Sequence, residues 1–294
     1  MANDLSDFLD NLAIRQADKY VFTGTPNQWP NRHVFGGHVI GQAMEAAQRT
    51  VPAGYHAHSM HAYFLRPGKA DTDIRYEVDP IRDGRSFLTR RVVALQGGEA
   101  IFSTAVSFHI GETGVAHQID MNDVPGPEGL EPDDTYYRRM AKKFNRPYPA
   151  TNIMPFNQRT VDRIDIEKPG PKPAIAGLWL KFEADLPDDP ALHSRLLAYI
   201  SDSHLIASAL RPHGMTFRDK RIKMMASLDH GFYIHDPAAR ADDWIFYQIE
   251  GVWSGSGRVL GRGSMYDQSG KLLASATQEG LVRLTGEAKE AMLK

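Results

Sequence analysis

The sequence predicts an antiparallel α+β protein made of two similar units in tandem, each a long helix wrapped by a curved sheet. Three observations carry that prediction. Two stretches run through the same order of strand, helix and further strands, offset by about 170 residues. Each offers one helix against about five strands, and one helix cannot cover both faces of such a sheet, so the sheet must curl around it. The strands follow one another through turns instead of alternating with helices, which argues against a doubly wound parallel sheet.

The elements follow in order. "KYVFTG" is a short strand; after a loop, "VFGGHVIGQAMEAAQRTV" opens with Gly36 and Gly37 and continues as a helix with Val39, Ala43, Ala46 and Ala47 on one side. Four strands come next: "AHSMHAYFLRP", "DIRYEVDPIRDG", "SFLTRRVVALQ" and "AIFSTAVSFHI". Pro67-Gly68, Asp83-Gly84 and Gly97-Gly98 separate them. The second unit has the strand "IAGLWLKFEADL", then an amphipathic helix over 196–214 that stops at Pro212 and Gly214. "KMMASLDHGFYIHDP", "WIFYQIEGVWSG", "GRVLGRGSMYDQSG" and "KLLASATQEGLVRL" complete it. The units span 1–111 and 158–294. Between them, 112–157 reads as a linker rich in Pro, Gly and acids, with one short helix near Tyr136 to Phe144. The two sheets can meet edge to edge or face to face.

Composition narrows the function. Net charge is -2, so no broad positive field points to nucleic acid or anionic lipid. The absence of Cys removes disulfides, thiolate metal sites and cysteine nucleophiles and fits a reducing compartment. The start, "MANDLSDFLDNLAIRQ", has no secretory pattern, and "EAMLK" is not a peroxisomal address. No apolar run approaches the roughly 20 residues of a membrane span. A soluble cytoplasmic protein is expected. "GSGRVLGRG" fits neither a dinucleotide fingerprint nor a P-loop and reads as a bent strand, and no G-x-S-x-G nucleophile elbow occurs. No cofactor is expected. His56, His58 and His61 lie close together, but on a strand His61 points away from the other two, and no metal is expected there.

One residue stands out. Asp202 falls inside the predicted 196–214 helix, where its neighbours three and four residues away are Ala198, Tyr199, Leu205 and Ile206. None can pair with a charge, and an ionised carboxylate buried without partners is very costly. Its partners come from elsewhere in the fold or from water; the plain alternative is a carboxylate that leans into solvent or meets an Arg. Gln278 is the second such residue. Strand alternation places it with Ala274, Ala276 and Gly280, a face of small residues suited to a closely packed helix. A large amide there needs a hydrogen-bond partner, which backbone alone could also supply.

The chain resembles the type II acyl-CoA thioesterases, with their double hotdog fold. In the first unit the resemblance rests on "VFGGHVIGQAMEAA", "HSMHAYFLRPG" and "RDGRSFLTRRVVALQGGEAIF", and in the second on "YISD", "ALRPHG", "ASLDHGFYIH" and "ASATQEGLVR". It covers nearly the whole chain outside the linker. The resemblance implies a triad of Asp, Thr or Ser, and Gln that holds a hydrolytic water: Asp202 in "YISD", Ser227 before "LDH" and Gln278 in "TQEG". Ser227 stands where many members carry Thr, which keeps the hydroxyl and loses a methyl that stiffens the rotamer. It also implies an acyl-CoA substrate and a homo-oligomer, dimer or tetramer.

The chemistry that follows is water attack on the thioester carbonyl. With an ordinary pKa of about 4, Asp202 is ionised at neutral pH and takes the water's proton, while Ser227 and Gln278 orient the water. Backbone N–H groups at the helix start "FGGH" can serve the developing oxyanion, which makes Gly36, Gly37 and His38 the expected substrate contacts; helix-entry geometry alone also accounts for the two glycines. Two other readings compete. Related hotdog hydratases resemble an Asp followed five residues later by His, but that position after Asp202 is Ala207. A silent acyl-CoA binder would keep the fold without the reaction. His204 is assigned no catalytic role, and the basic stretch "RRMAKKFNR" reads as a solvated helix face more readily than as a contact to coenzyme A phosphates.

Overall fold

The two units meet edge to edge in one antiparallel sheet. The computed structural model describes residues 5–27, 33–145, 156–217 and 219–288. The first unit contains α1 (Leu5–Leu12), β1 (Ile14–Asp18), β2 (Val21–Gly24), α2 (Gly36–Gln48), β3 (His56–Phe64), β4 (Ile74–Asp83), β5 (Phe87–Gln96) and β6 (Glu99–His109). The connection carries α3 (Asp133–Lys143). The second contains β7 (Phe156–Thr160), β8 (Ile175–Phe182), α4 (Pro190–Ser201), α5 (Leu205–Ser208), β9 (Ile222–Ser227), β10 (Asp229–Ile234), β11 (Ile245–Gly255), β12 (Arg258–Asp267) and β13 (Leu272–Leu284). The strand order is β1-β2-β4-β5-β6-β3-β10-β13-β12-β11-β8-β7, with β9 also paired to β13. Its second half repeats the first half in reverse, so each unit has the same plan and β3 meets β10 at the seam, with Gly231 opposite His61. The α1 helix and β1 lie ahead of the first strand that the sequence pattern marked.

The two long helices lie antiparallel, side by side. Near the end of α2, Gln48 donates to Ser194 Oγ (2.9 Å) and the Ala191 carbonyl (3.1 Å) at the start of α4. At the other end, a Cβ on Gly37 would stand 2.3 Å from the Tyr199 carbonyl oxygen, so only glycine allows this approach. Glu45 of α2 pairs with Arg195 of α4. From Gly37 to Ala47 every residue of α2 except Glu45 is buried, as expected of a helix with apolar neighbours all round. The N-terminus of α4 is capped locally, Asp189 Oδ1 accepting the Ala191 N–H at 2.9 Å ahead of Pro190 at the first helical position. Phe35, which precedes α2, has no side chain that can do this.

The predicted helix over 196–214 is broken. The α4 helix ends at Ser201, Asp202 is its C-cap, and His204 adopts φ 67° before the single turn of α5. The apolar periodicity continues through the break because Leu205 and Ile206 are still buried, now against the sheet. A Cβ on Gly261 of β12 would lie 2.5 Å from the Leu205 carbonyl oxygen, and one on Gly280 of β13 would lie 2.5 Å from Ile206 Cδ1. Gly280, from the small face read on β13, and Gly261 of β12 thus form the bed of α5.

The connection is anchored through α3. The Asp133 carboxylate is buried, accepts from Thr160 N (2.9 Å), Thr160 Oγ1 (2.6 Å) and Gln158 Nε2 (2.7 Å), and pairs with Arg163. The basic face of α3 forms exposed ion pairs, Arg138 with Asp134 and Arg139 with Glu131.

Gly261→Ala is expected to lower unfolding stability by about 1–3 kcal/mol, because the methyl group meets backbone. Gly114→Ala, where an added Cβ has no neighbour within 4 Å, is the control and should change little. Equal denaturation midpoints for both variants would contradict the close approach of α5.

Candidate active site

Asp202 leaves the end of α4 at the point where the N-terminus of α2 arrives. Asp202 Oδ2 accepts the Gly37 N–H at 2.9 Å. That N–H belongs to the first turn of α2, where it has no intrahelical acceptor, so a carboxylate 165 residues away caps the helix and favours its positive end. On its other oxygen, Oδ1, Asp202 accepts from Gln278 Nε2 in a short hydrogen bond.

Strand register supplies the other two groups. Ser227 ends β9 opposite Gly280 of β13, which puts it diagonal to Gln278 on the same face. Gln278 Nε2 reaches Ser227 Oγ at 3.0 Å. The amide therefore bridges carboxylate and hydroxyl. The reverse amide orientation would set its carbonyl against the carboxylate. Gln278 Oε1 is buried and, among the described residues, has no hydrogen-bond partner. Asp202, Ser227 and Gln278 thus meet at one place, with Gly37 as a fourth member.

Electrostatics alter the expected ionisation of Asp202. Burial pushes its carboxyl up to about 6, against hydrogen bonds from Gln278, the Gly37 N–H and Ser227 that pull it down. The ordinary carboxylate value assumed from sequence is corrected upward. A base that titrates near 6 is still ionised at neutral pH and holds a proton more firmly than an ordinary Asp does. The phenols of Tyr199 and Tyr247 are pushed upward, first by burial and then by the charge of Asp202, so both stay neutral.

The "FGGH" residues occupy different surroundings from those expected. The Gly37 N–H is committed to Asp202, which removes it as a free oxyanion donor. A Cβ on Gly36 would lie 2.6 Å from Asp202 Oδ2 and 2.9 Å from Phe64 Cζ, so the close approach to its backbone is made by the carboxylate. His38 is buried, its Nε2 is 2.9 Å from the Thr25 carbonyl, and burial pulls its pKa down to about 4. Its neutral ring is engaged inside the first unit, which gives no support to a side-chain contact with substrate. His58 bonds Ser107 Oγ at 2.8 Å and His61 meets the edge of Tyr233, while His204 bonds Gln158 at 3.1 Å. No cluster of His, Cys, Asp or Glu suited to a metal ion occurs among the described residues.

Comparison with known proteins bears on the family and the fold. Residues 159–281 match the family described as acyl-CoA thioesterase, and residues 25–109 match the acyl-CoA thioesterase N-terminal domain. The acyl-CoA thioesterase 2 of Haemophilus influenzae is 34% identical over 287 residues, 96% of this chain and 100% of that protein. Human acyl-coenzyme A thioesterase 8 is 31% identical over 296 residues, covering 96% of this chain and 90% of its own. The crystal structure of acyl-CoA thioesterase II TesB2 from Mycobacterium marinum superposes with a TM-score of 0.77 at 35% identity, covering 95% of this chain and 98% of that one. A hot dog fold protein from Alicyclobacillus acidocaldarius, at 19% identity and a TM-score of 0.76 over 95% of this chain and 98% of its own, matches the fold alone. Fold and comparisons define a double hotdog hydrolase of thioesters. The chain belongs to the type II acyl-CoA thioesterase family.

Gly36→Ala tests the placement of the carboxylate. The methyl group should push Asp202 aside and lower kcat roughly ten- to a hundredfold in a protein that still folds. Wild-type kcat in this variant would contradict the geometry.

Proposed function

We propose that Asp202, Ser227 and Gln278 carry the hydrolysis of acyl-CoA thioesters that membership of the family assigns to this chain. The observation that carries the reading is the shared position of an acid, a hydroxyl and an amide at the break between α4 and α5. Asp202 accepts a proton from water. Gln278 Oε1, without a hydrogen-bond partner among the described residues, accepts the water's second hydrogen, and the Ser227 hydroxyl turns its hydrogen from Asp202 to a lone pair of that water. The water oxygen bonds to the thioester carbonyl carbon. As the tetrahedral intermediate collapses, the C–S bond breaks and Asp202 returns the proton to the departing coenzyme A thiolate. Gly36 N–H, at the first position of α2 and without an intrahelical acceptor by geometry, is the donor we assign to the oxyanion in place of Gly37.

The reaction needs no acyl-enzyme. Hydration of enoyl thioesters is not favoured, since Ala207 stands where the hydratases place His. We further place the protein in the cytoplasm, on its lack of Cys, and as a dimer or tetramer of this chain. The exposed apolar side chains Ile81, Phe87, Val252 and Trp253 on its strands support an assembly through the outer surface.

Thiol release from a saturated acyl-CoA tests the proposal. Asp202→Asn is expected to lower kcat by about 10²- to 10⁴-fold. Because the base must be deprotonated, kcat/KM should rise about tenfold per pH unit below pH 6 and level off above it. A flat profile between pH 5 and 8, an active Asp202→Asn enzyme, or an acyl adduct trapped on Ser227 during turnover would overturn the mechanism.

A further inference from the structure

The active carboxylate is one covalent step from a fully buried polar cluster that the mechanism does not use. Ser201, the residue before Asp202, is 0% exposed, and so is Tyr247, while His230 is 1% exposed. Tyr247 O–H donates to the Ser201 carbonyl at 2.8 Å. That carbonyl belongs to the peptide group whose nitrogen is that of Asp202. The phenol thus fixes the peptide plane from which the catalytic side chain departs. Tyr247 reaches it by lying across Gly263 of β12, where a Cβ would stand 2.3 Å from the ring.

His230 holds the side chain of the same serine. Ser201 Oγ donates its single proton to the Ala198 carbonyl at 2.7 Å, so its contact with His230 Nε2 at 2.8 Å is one in which the ring N–H donates. That fixes the neutral tautomer protonated on Nε2. His230 sits on β10 beside Gly231, which pairs with Thr277, so it stands across from Gln278 on β13. Both side chains point into the buried interior. One strand pair therefore bears on both partners, holding Gln278 directly and Asp202 through Ser201.

We infer that His230 and Tyr247 are positioning residues that clamp Ser201 and so set Asp202 at the distance from Gln278 and Gly37 that hydrolysis needs. The inference rests on the proposed role of Asp202. Burial by itself would give the cluster a structural role only, and the two roles predict different kinetics. A purely structural clamp would change the melting temperature and the fraction of active protein while leaving kcat per folded molecule intact. A positioning clamp changes kcat with KM nearly constant, because the thioester still binds while the water is misplaced.

The experiment measures kcat, KM and melting temperature for Tyr247→Phe, Ser201→Ala, His230→Asn, His230→Gln and the Ser201→Ala/His230→Asn double variant, with Asp202→Asn as reference. Tyr247→Phe, Ser201→Ala and His230→Asn should each lose about ten- to a hundredfold in kcat at nearly unchanged KM. The double variant should be no worse than the poorer single one, since both remove the same contact. His230→Gln, whose amide N–H falls near the position of Nε2–H, should recover most of the loss. If His230→Asn fails to fold, Ser201→Ala and Tyr247→Phe, which each remove one oxygen, decide the matter. Wild-type kcat in those two variants overturns the clamp while an inactive Asp202→Asn leaves the functional reading standing. Full additivity in the double variant, or no recovery in His230→Gln, also overturns it. An active Asp202→Asn instead sinks the reading on which the clamp rests.

Discussion

A carboxylate removed from water and held by uncharged donors is the constraint on which this molecule depends. Among the described residues, Asp202 has no cation among its hydrogen-bond donors; its partners there are a backbone N–H, an amide and a hydroxyl. Hydrogen bonds of this kind keep a buried charge tolerable without neutralising it. Because the carboxyl is raised from 3.8 to about 6 on folding, its contribution to stability is fully present below 3.8, where both states are protonated, and is lost as pH rises through about 6. Near neutrality the fold carries the ionised group at a cost.

The architecture explains why such a site can exist. Its four groups come from the start of α2, the end of α4, the end of β9 and the middle of β13. No local segment could assemble them. Duplication places α2 and α4 antiparallel, so the unsatisfied N–H groups of one helix face the end of the other. Glycine at 37 lets the two backbones approach, and Gly280, paired with Ser227, makes room for Ile206 just beyond the break that carries Asp202. The seam between β3 and β10 continues past Phe64, whose N–H donates to the Leu228 carbonyl at 2.9 Å, and so ties the first unit to the segment that carries Ser227.

Much of the fold was legible. The β4 strand alternates buried and exposed positions, and its opening "IRYEVD" shows the same alternation of apolar and charged residues. The meander, the duplicated order and the helix of Gly36–Gln48 were all visible in the sequence for similar reasons. The break after Ser201 was not. Leu205, Ile206 and Ala209 prolong the apolar pattern, and the signal that ends α4 is a left-handed His204, a conformation no periodicity encodes. Asp202 was legible as an anomaly and Gln278 as a large amide among small residues, whereas Ser227 came only through family likeness. Gly37 was expected to face a ligand, and its N–H instead donates to Asp202: a helix N-terminus can serve a ligand or a side chain equally well, and only the tertiary path of α4 brings the carboxylate there. The raised carboxyl pKa was hidden for the same reason, since burial belongs to the fold and not to the helix that carries the residue. His38 resembled a site residue by its neighbours in sequence, while its ring turned to Thr25.

The most direct test of this account is the titration of Asp202 itself, followed through its side-chain carboxyl carbon by NMR in the unliganded protein. The account predicts a midpoint near 6. A midpoint at the ordinary carboxylate value would show a solvated side chain, and the buried, donor-held base at the centre of this description would be contradicted.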